Sequence, residues 1–361
     1  MASVTERPSV AGEVERLAAS DSAGNGVERS GFLPDRIIHL HPTRHCNLAC
    51  LHCYSSSDPR QTAALDPSVV GRALEVLRAE GYAHVSLSGG EPLVYQPLEE
   101  VVDHAHALGY RVTMITNGLL VNDRTAPLLA KLDGIAISFD GLADSHNTVR
   151  RRPDAFGRAA AAIARLAESG RPAAAAISLS RDAIEELPDL VDHLVDLGAR
   201  AFQVRPVARA GRGRTMPPGT FHSPTDLARL YLVVLALQRE LPEIRLHCDV
   251  APAQGLWRQR DAYAGLLGSC DGLPYENRPL ADLVNPLVIT ETGSLKPIAY
   301  DFDSRFDVSV ADGLSEDRLR EYKRNRVEGL QTLVGCALAG LGDRSDLVDW
   351  FDHCTRLSER A

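Results

Sequence analysis

The feature that most constrains the fold is an alternation. Between Arg36 and about Gly213, short runs rich in Ile and Val are followed by longer stretches of helical period. The strand-like runs fall at 37–41, 84–88, 111–116, 134–139, 173–179 and 201–205. The helical stretches fall at 67–80, 98–108, 125–131, 155–169 and 184–197. Asp66 before Pro67 reads as an N-cap with proline in the first turn. Gly81, Gly109, Gly170 and Gly198 each follow a helical stretch, where a chain leaves a helix in a left-handed conformation. Six strand–helix units in a row imply a parallel sheet with right-handed crossovers. The curved form is an α/β fold, a partial (β/α)6 barrel of the TIM type. Chemistry in such barrels sits at the C-terminal ends of the strands.

Directly after the first strand comes Cys46-Asn-Leu-Ala-Cys50-Leu-His-Cys53, a C-x3-C-x2-C run. Three thiolates bind three irons of a four-iron cluster and leave the fourth open, whereas such clusters are normally held by four cysteines. Zinc stands beside that reading, since His45 or His52 would complete a Cys3His set. Other unusual segments fall on the same rim. Gly89-Gly90-Glu91-Pro92 follows strand two, Thr116-Asn117-Gly118 ends strand three, and Ser138-Phe139-Asp140-Gly141 ends strand four. Gln203, Arg205 and Pro206 end strand six.

This set of motifs resembles the radical S-adenosylmethionine (radical SAM) superfamily over residues 36 to about 213. Ala210-Gly211-Arg212 after the sixth strand is similar to its peptide-modifying branch. The resemblance implies a 4Fe-4S cluster on Cys46, Cys50 and Cys53 with SAM on the open iron. One-electron reduction would yield a 5′-deoxyadenosyl radical that takes hydrogen from a substrate. It implies that Gly89 and Gly90 let the backbone approach the methionine amino group. Glu91 would bond that group or fix the loop. Ser138 and Asp140 would hold the ribose hydroxyls, with Ser138 alternatively satisfying local backbone. Asn117 would contact SAM or cap a turn. Arg150, at the end of His146-Asn-Thr-Val-Arg150, would pair with the methionine carboxylate. Ser178 and Gln203 would face the cofactor or the barrel interior, and His52 would shield the cluster. His39, His41 and His45 read as hydrogen-bonded packing residues. Arg205 and Arg209 join Gln203 as candidates for the substrate rim.

Residues 1–32 read as a polar leader with a short helix at 11–19, 33–213 as the barrel and 214–361 as an extension. The extension carries a helix at 224–240, a strand at 244–248 and a hairpin over 287–299 around Gly293. It resembles the SPASM or twitch region of peptide-modifying relatives, which carries auxiliary clusters. Cys270 and Gly293 fit that pattern, but Ile298-Ala299 stands where a second cysteine is due. One auxiliary cluster would need Cys248, Cys270, Cys336 and Cys354 to converge. The preferred reading is a degenerate extension whose cysteines are small buried hydrophobes.

The formal charge of −9 argues against a general nucleic-acid binder, and no apolar run is long enough to span a bilayer. Seven cysteines, three of them bunched, suit metal or redox use in a reducing cytoplasm. The function expected is therefore a radical SAM enzyme acting on a peptide or peptide-derived substrate by crosslinking, epimerisation or decarboxylation. The resemblance also implies an electron donor such as a flavodoxin or ferredoxin, and a separate leader-peptide-binding protein or direct docking in the barrel. Two alternatives stand. One is a radical SAM enzyme acting on a small sugar, nucleoside or amino acid. The other is a non-catalytic iron–sulfur or zinc protein.

Overall fold

The computed structural model describes residues 36–171, 173–258, 260, 274–342 and 344–360. The leader over 1–32 and Cys270 lie outside the described residues. Six parallel strands run β1 (Ile37–Leu40), β2 (His84–Leu87), β3 (Arg111–Thr116), β4 (Gly134–Phe139), β5 (Ala173–Leu179) and β6 (Ala199–Pro206). They are hydrogen-bonded to one another in sequence order. Between them lie helices α1 (Pro67–Ala79), α2 (Leu98–Ala107), α3 (Ala126–Lys131), α4 (Ala143–Arg150), α5 (Ala155–Glu168) and α6 (Leu187–Asp196). This is an α/β fold with a mainly parallel sheet, a partial TIM-type barrel. The Asp66 side chain accepts from the Ser68 N–H and caps α1. Gly81, Gly109, Gly170 and Gly198 all have positive φ at helix ends.

Two elements depart from the sequence pattern. Helix α4 has no apolar stripe; its sequence is Ala-Asp-Ser-His-Asn-Thr-Val-Arg, and its buried residues are His146 and Arg150. A period search has nothing to detect there. The stretch at 184–197 is two pieces, a 3-10 turn over Arg181–Glu186 and then α6, with a proline in the first turn of α6. Proline lacks the N–H that would carry an α-helix through from the preceding turn.

The larger difference lies at the sheet edges. Among the described residues the sheet has ten strands, because later segments join both sides of the six. After α7 (Pro224–Glu240), β7 (Arg245–Cys248) adds parallel to β6. At the other edge β9 (Leu287–Ile289) adds parallel to β1, pairing Ile38 with Leu287. Strands β10 (Ser294–Pro297) and β11 (Val308–Ser309) continue antiparallel. An open edge exposes a row of unpaired N–H and C=O groups, so edge strands are normally covered. Short β8 (Val250–Pro252) and β12 (Leu347–Asp349) form a separate ribbon. The chain ends in α8 (Ala253–Arg258), α9 (Glu316–Tyr322), α10 (Glu328–Ala339) and α11 (Trp350–Arg360).

Side chains alternate across each strand. Ile38, Leu40, Val85, Leu87, Val112, Met114, Ile135, Ile137, Phe139 and Ile177 are buried in one core with Leu74, Leu77 and Ile163 of the helices. The opposite, concave face carries Ser138, Ala136, Ala174, Ala176, Ser178, Gln203 and Arg205. Small residues there leave room beneath the rim.

Buried contacts bind the later segments to the barrel. Lys323 is 4% exposed; its ammonium donates to both Glu80 carboxylate oxygens (2.9 and 3.0 Å) and to the Arg278 carbonyl (3.0 Å). The Tyr82 hydroxyl donates to the Val284 carbonyl at 2.5 Å. Lys323→Met leaves the half-buried Glu80 carboxylate without its cation and should lower stability by about 1–3 kcal/mol. Urea unfolding followed by circular dichroism reads this; an unchanged midpoint would show that Lys323 couples nothing.

Candidate active site

Thr43 to Ala64 leaves β1 as a broad loop, closed by bridges Thr43–Ala64 and His45–Asp58. Within it Cys46 and Cys50 are each 8% exposed and Cys53 is half-buried. The loop is stapled from outside. Arg212 donates Nε to the Cys50 carbonyl (2.9 Å), Nη2 to the Ser57 carbonyl (2.6 Å) and its backbone N–H to the Cys53 carbonyl (2.9 Å). On the other side the Leu51 N–H donates to the Val149 carbonyl at 2.8 Å. In the sequence Arg212 stands out only as part of Ala210-Gly211-Arg212. Its role comes from packing that no local pattern signals.

Gly89 and Gly90 seat this loop against the end of β2. A Cβ on Gly90 would stand 2.1 Å from the His45 carbonyl oxygen, and one on Gly89, at φ +103, 2.8 Å from the His41 Cβ. The space is used by hydrogen bonds, from the Gly90 N–H to the Thr43 carbonyl (2.9 Å) and from the Glu91 N–H to the His45 carbonyl (3.0 Å). Glu91 is 1% exposed. One carboxylate oxygen accepts from the Thr116 hydroxyl (2.6 Å) and the Leu93 N–H (3.2 Å); the other accepts from the Asn117 N–H (2.9 Å). Both oxygens are therefore engaged in fixing the loop, and burial pushes the carboxyl pKa up. Asn117 donates Nδ2 to Asn47 Oδ1 at 2.7 Å and accepts from the Leu119 N–H, joining the cysteine loop to the end of β3.

Asp140 and Arg150, assigned separate contacts in the sequence reading, meet each other. Arg150 Nε donates to Asp140 Oδ2 at 2.5 Å and Nη2 to Oδ1 at 3.1 Å. His52 Nε2 lies 2.6 Å from Asp140 Oδ1. The pair is buried, 2% and 7% exposed. Burial pushes the Asp140 carboxyl up, but Arg150 and then His52 outweigh it and hold it well below the usual carboxylate range. Burial lowers His146 to about 4, so its neutral Nδ1 accepts the Asp140 N–H at 3.2 Å.

Ser138 and Ser178 stand half-buried on the concave face. Gln203 donates to Asp249 at 3.0 and 3.3 Å, and Arg205 Nε lies 3.6 Å from the same carboxylate. Asp249, just after β7, was missed because the sequence places it outside the six units. Arg209 stacks over Phe221, 3.9 Å from its ring centroid. His41 packs between Tyr54 and Tyr300, and burial lowers it to about 3 and His39 to about 4.

The donor set fits a four-iron cluster. The loop offers three thiols, while the other described cysteines stand on β7 (Cys248), α10 (Cys336) and α11 (Cys354). Burial pushes Cys46 up to about 12, with Glu91 adding, and Cys50 up to about 11. Iron must therefore displace protons from these thiols as it binds. Among the described residues no three His, Cys, Asp or Glu side chains converge on one metal ion. Ligands of a four-iron cluster each take a different iron and so need not converge. Cys248 and Cys354 belong to the main apolar core and Cys336 is exposed.

A family model, the radical SAM superfamily, matches residues 40–194. The sporulation killing factor maturation protein SkfB of Bacillus subtilis (strain 168) is 30% identical over 175 residues, 48% of this chain and 43% of SkfB. The chain thus spans less than half of that relative. The AdoMet-dependent heme synthase of Methanosarcina barkeri (strain Fusaro / DSM 804) is 29% identical over 221 residues, 60% of this chain and 62% of the synthase. Among solved structures, Streptococcus suis SuiB bound to S-adenosylmethionine aligns with TM-score 0.62 and 18% identity, covering 83% of this chain and 68% of SuiB. SuiB is also known bound to the precursor peptide SuiA. At this identity the likeness is one of fold.

Two substitutions test the geometry. Gly90→Ala forces a methyl group into the His45 carbonyl and should abolish iron retention by the loop, read as iron per chain after anaerobic reconstitution. Iron equal to wild type would mean the two loops are free to part. Asp140→Asn leaves the Arg150 guanidinium buried without its counterion and should cost about 3–5 kcal/mol. A change under about 1 kcal/mol in thermal unfolding would contradict the pairing.

Proposed function

Residues 40–194 belong to the radical SAM superfamily, and on that premise we propose that this chain is an enzyme that reductively cleaves SAM. It then abstracts hydrogen from a peptide or peptide-derived substrate. The observation that carries the reading is the interlock of two loops, in which backbone bonds at Gly90 and Glu91 hold a three-cysteine loop over the strand ends. Cys46, Cys50 and Cys53 would hold a 4Fe-4S cluster with one iron left for SAM. Bound there, the pair supplies a 5′-deoxyadenosyl radical by one-electron reduction.

The chain's own residues do the positioning. Gly89 and Gly90 would let backbone approach the methionine amino group, with Glu91 bracing them. Ser138 and Ser178 offer hydroxyls on the concave face for the adenosine ribose. Arg150, already charge-balanced by Asp140, would offer its remaining N–H donors to the methionine carboxylate, while Asn117 and His52 would hold and shield the cysteine loop. Gln203, Arg205 and Asp249 form a hydrogen-bonded polar group suited to a substrate's amide or charged end. The burial of Cys248 and Cys354 in the apolar core supports the degenerate extension, in which these cysteines are small hydrophobes.

A peptide substrate is supported by the fold of SuiB, known with a precursor peptide, and by the similarity to SkfB. The longer match to the heme synthase supports a second reading, a small-molecule substrate on the same chemistry. Iron and sulfide counts come first. Wild type should hold about four of each, falling to none in Cys46→Ala/Cys50→Ala/Cys53→Ala. Several irons surviving in the triple variant would overturn the cluster-free extension, and none in wild type would overturn the cluster. Deuterium from labelled peptides should then appear in 5′-deoxyadenosine. Transfer only from small molecules would favour the second reading.

A further inference from the structure

Side chains alternate along each strand, so His39 of β1, His84 of β2 and Arg205 of β6 face inward, opposite the runs of Ile, Val and Leu. Some polar groups there are paired: His84 bonds Thr113 at 2.8 Å, and Tyr300 donates to Glu291 at 2.9 and 3.0 Å. Three others are not satisfied in this way. The His39 ring is half-buried and makes no hydrogen bond among the described residues. Asp349 is half-buried too, and its carboxylate accepts one bond, from the Asp352 N–H to Oδ1 at 3.1 Å. Arg205 meets only Asp249 among the described residues, through Nε at 3.6 Å. That exceeds hydrogen-bond distance and leaves both Nη groups without an acceptor. Polar groups withdrawn this far into a fold are normally paired.

The three belong to one place. Asp349 pairs with Val250 across the short ribbon, one residue from Asp249. His39 and Asp349 each lie within electrostatic reach of both Arg205 and Asp249. Arg205 stands opposite Ser178 in the β5–β6 register, and half-buried Ala136 and Ala174 keep the face beyond it open. Asp249 does not exhaust the guanidinium. Its side chain is 7% exposed against 38% for Arg205. Its oxygens take the Gln203 amide at 3.0 and 3.3 Å, with His247 Nε2 3.5 Å from Oδ1. Asp249 therefore steadies Arg205 from the Nε side and leaves the outer edge of the fork free. Burial, and then Arg205, lower His39 to about 4, so its ring is neutral and offers one N–H. Burial, with the charge of Asp249 adding, pushes Asp349 up to about 7. Near neutral pH the second carboxyl is thus protonated about half of the time, which weakens its repulsion of an incoming anion.

We propose that Arg205 anchors a carboxylate of the substrate, its two Nη groups donating to the two oxygens, with the His39 N–H beside them and Asp249 holding the guanidinium in place. The inference rests on the proposed function and specifies its substrate as an organic acid. The planar fork of a guanidinium matches a carboxylate with two parallel bonds. An ammonium group would meet the charge of Arg205 directly, and a neutral amide would leave the free Nη donors without an anion. The acid could be a peptide's C-terminus, an Asp or Glu side chain, or a small-molecule carboxylate; all three present the same group. Arg205 binds and orients in this role, and no proton or electron passes through it.

The test titrates the reconstituted full chain with para-fluorobenzoate, followed by fluorine NMR, with para-fluorobenzamide and para-fluorobenzylamine as matched neutral and cationic probes. Wild type should bind the acid saturably and more tightly than either match. Arg205→Gln should raise the Kd of the acid at least about tenfold. Arg205→Lys keeps the charge and the stem, and should still weaken the acid by about threefold or more, because an ammonium cannot grip both oxygens in a fixed plane. Competition then separates the sources. Displacement of the probe by acetylated tripeptides with a free C-terminus assigns the terminus, and by C-terminal amides containing Glu assigns a side chain. Displacement by neither assigns a small-molecule acid. No saturable binding of the acid by wild type, a Kd unchanged in both variants, or tighter binding of the amide or the amine would each overturn the anchor. Failure of dithionite to drive SAM cleavage in wild type would instead overturn the proposed chemistry, and the comparison at Arg205 would still decide the carboxylate site.

Discussion

The site depends on a close approach of two backbones. The loop bearing Cys46, Cys50 and Cys53 has no regular structure of its own and must be held by its surroundings. Gly89 and Gly90 allow the end of β2 to come within hydrogen-bond distance of residues 43 and 45, where no side chain fits. Glu91 then fills its hydrogen-bonding capacity within the same junction, tying in Thr116 and Asn117. Arg212 clamps the far side through three bonds to backbone carbonyls. Three strand ends and the segment after β6 thus meet at one loop, and the thiols are presented without spending a side chain on contact between the two glycines and the loop.

Beside this junction the Asp140–Arg150 pair shows how charge is handled at low exposure. A buried guanidinium is tolerated because a carboxylate faces it with two bonds, and that carboxylate also accepts the His52 bond. The pair lies between the cysteine loop and α4, so the helix that carries no apolar stripe is anchored by charge rather than by hydrophobic burial. Its next residue, Arg151, is exposed, so the C-terminal end of this helix turns one arginine into the site and the following one to solvent.

Much of this was legible in the chain. Strands β3, β4 and β5 have the bounds that their Val, Ile and Ala runs suggest, and glycine marks the helix ends. Cys46, Gly89, Asn117 and Ser138 fall on one rim because strand ends in a parallel barrel share a rim. What escaped has physical causes. Helix α4 is polar because its buried side chains are charged or imidazole, so periodicity is silent. The strand at 244–248 and the hairpin over 287–299 appear as β7 and as β9 with β10. Nothing in the chain showed that β7 pairs with β6 and β9 with β1, where an open sheet edge needs a partner. That need is tertiary and leaves no local signature. Asp249 and Arg212 act across more than forty residues of sequence separation. The meeting of Asp140 with Arg150 was hidden for a different reason: each was read alone, as a ligand contact, although ten residues on a turn and a short helix bring them together.

The central claim is that the cysteine loop holds a cluster whose open iron is the SAM site. Electron paramagnetic resonance of the dithionite-reduced, reconstituted chain, recorded before and after adding SAM, tests it most directly. The account predicts a reduced 4Fe-4S signal whose g-values shift on adding SAM, with hyperfine coupling to the nitrogen of SAM labelled at its amino group. A cluster signal that SAM leaves unchanged, or no cluster signal at all, would contradict it.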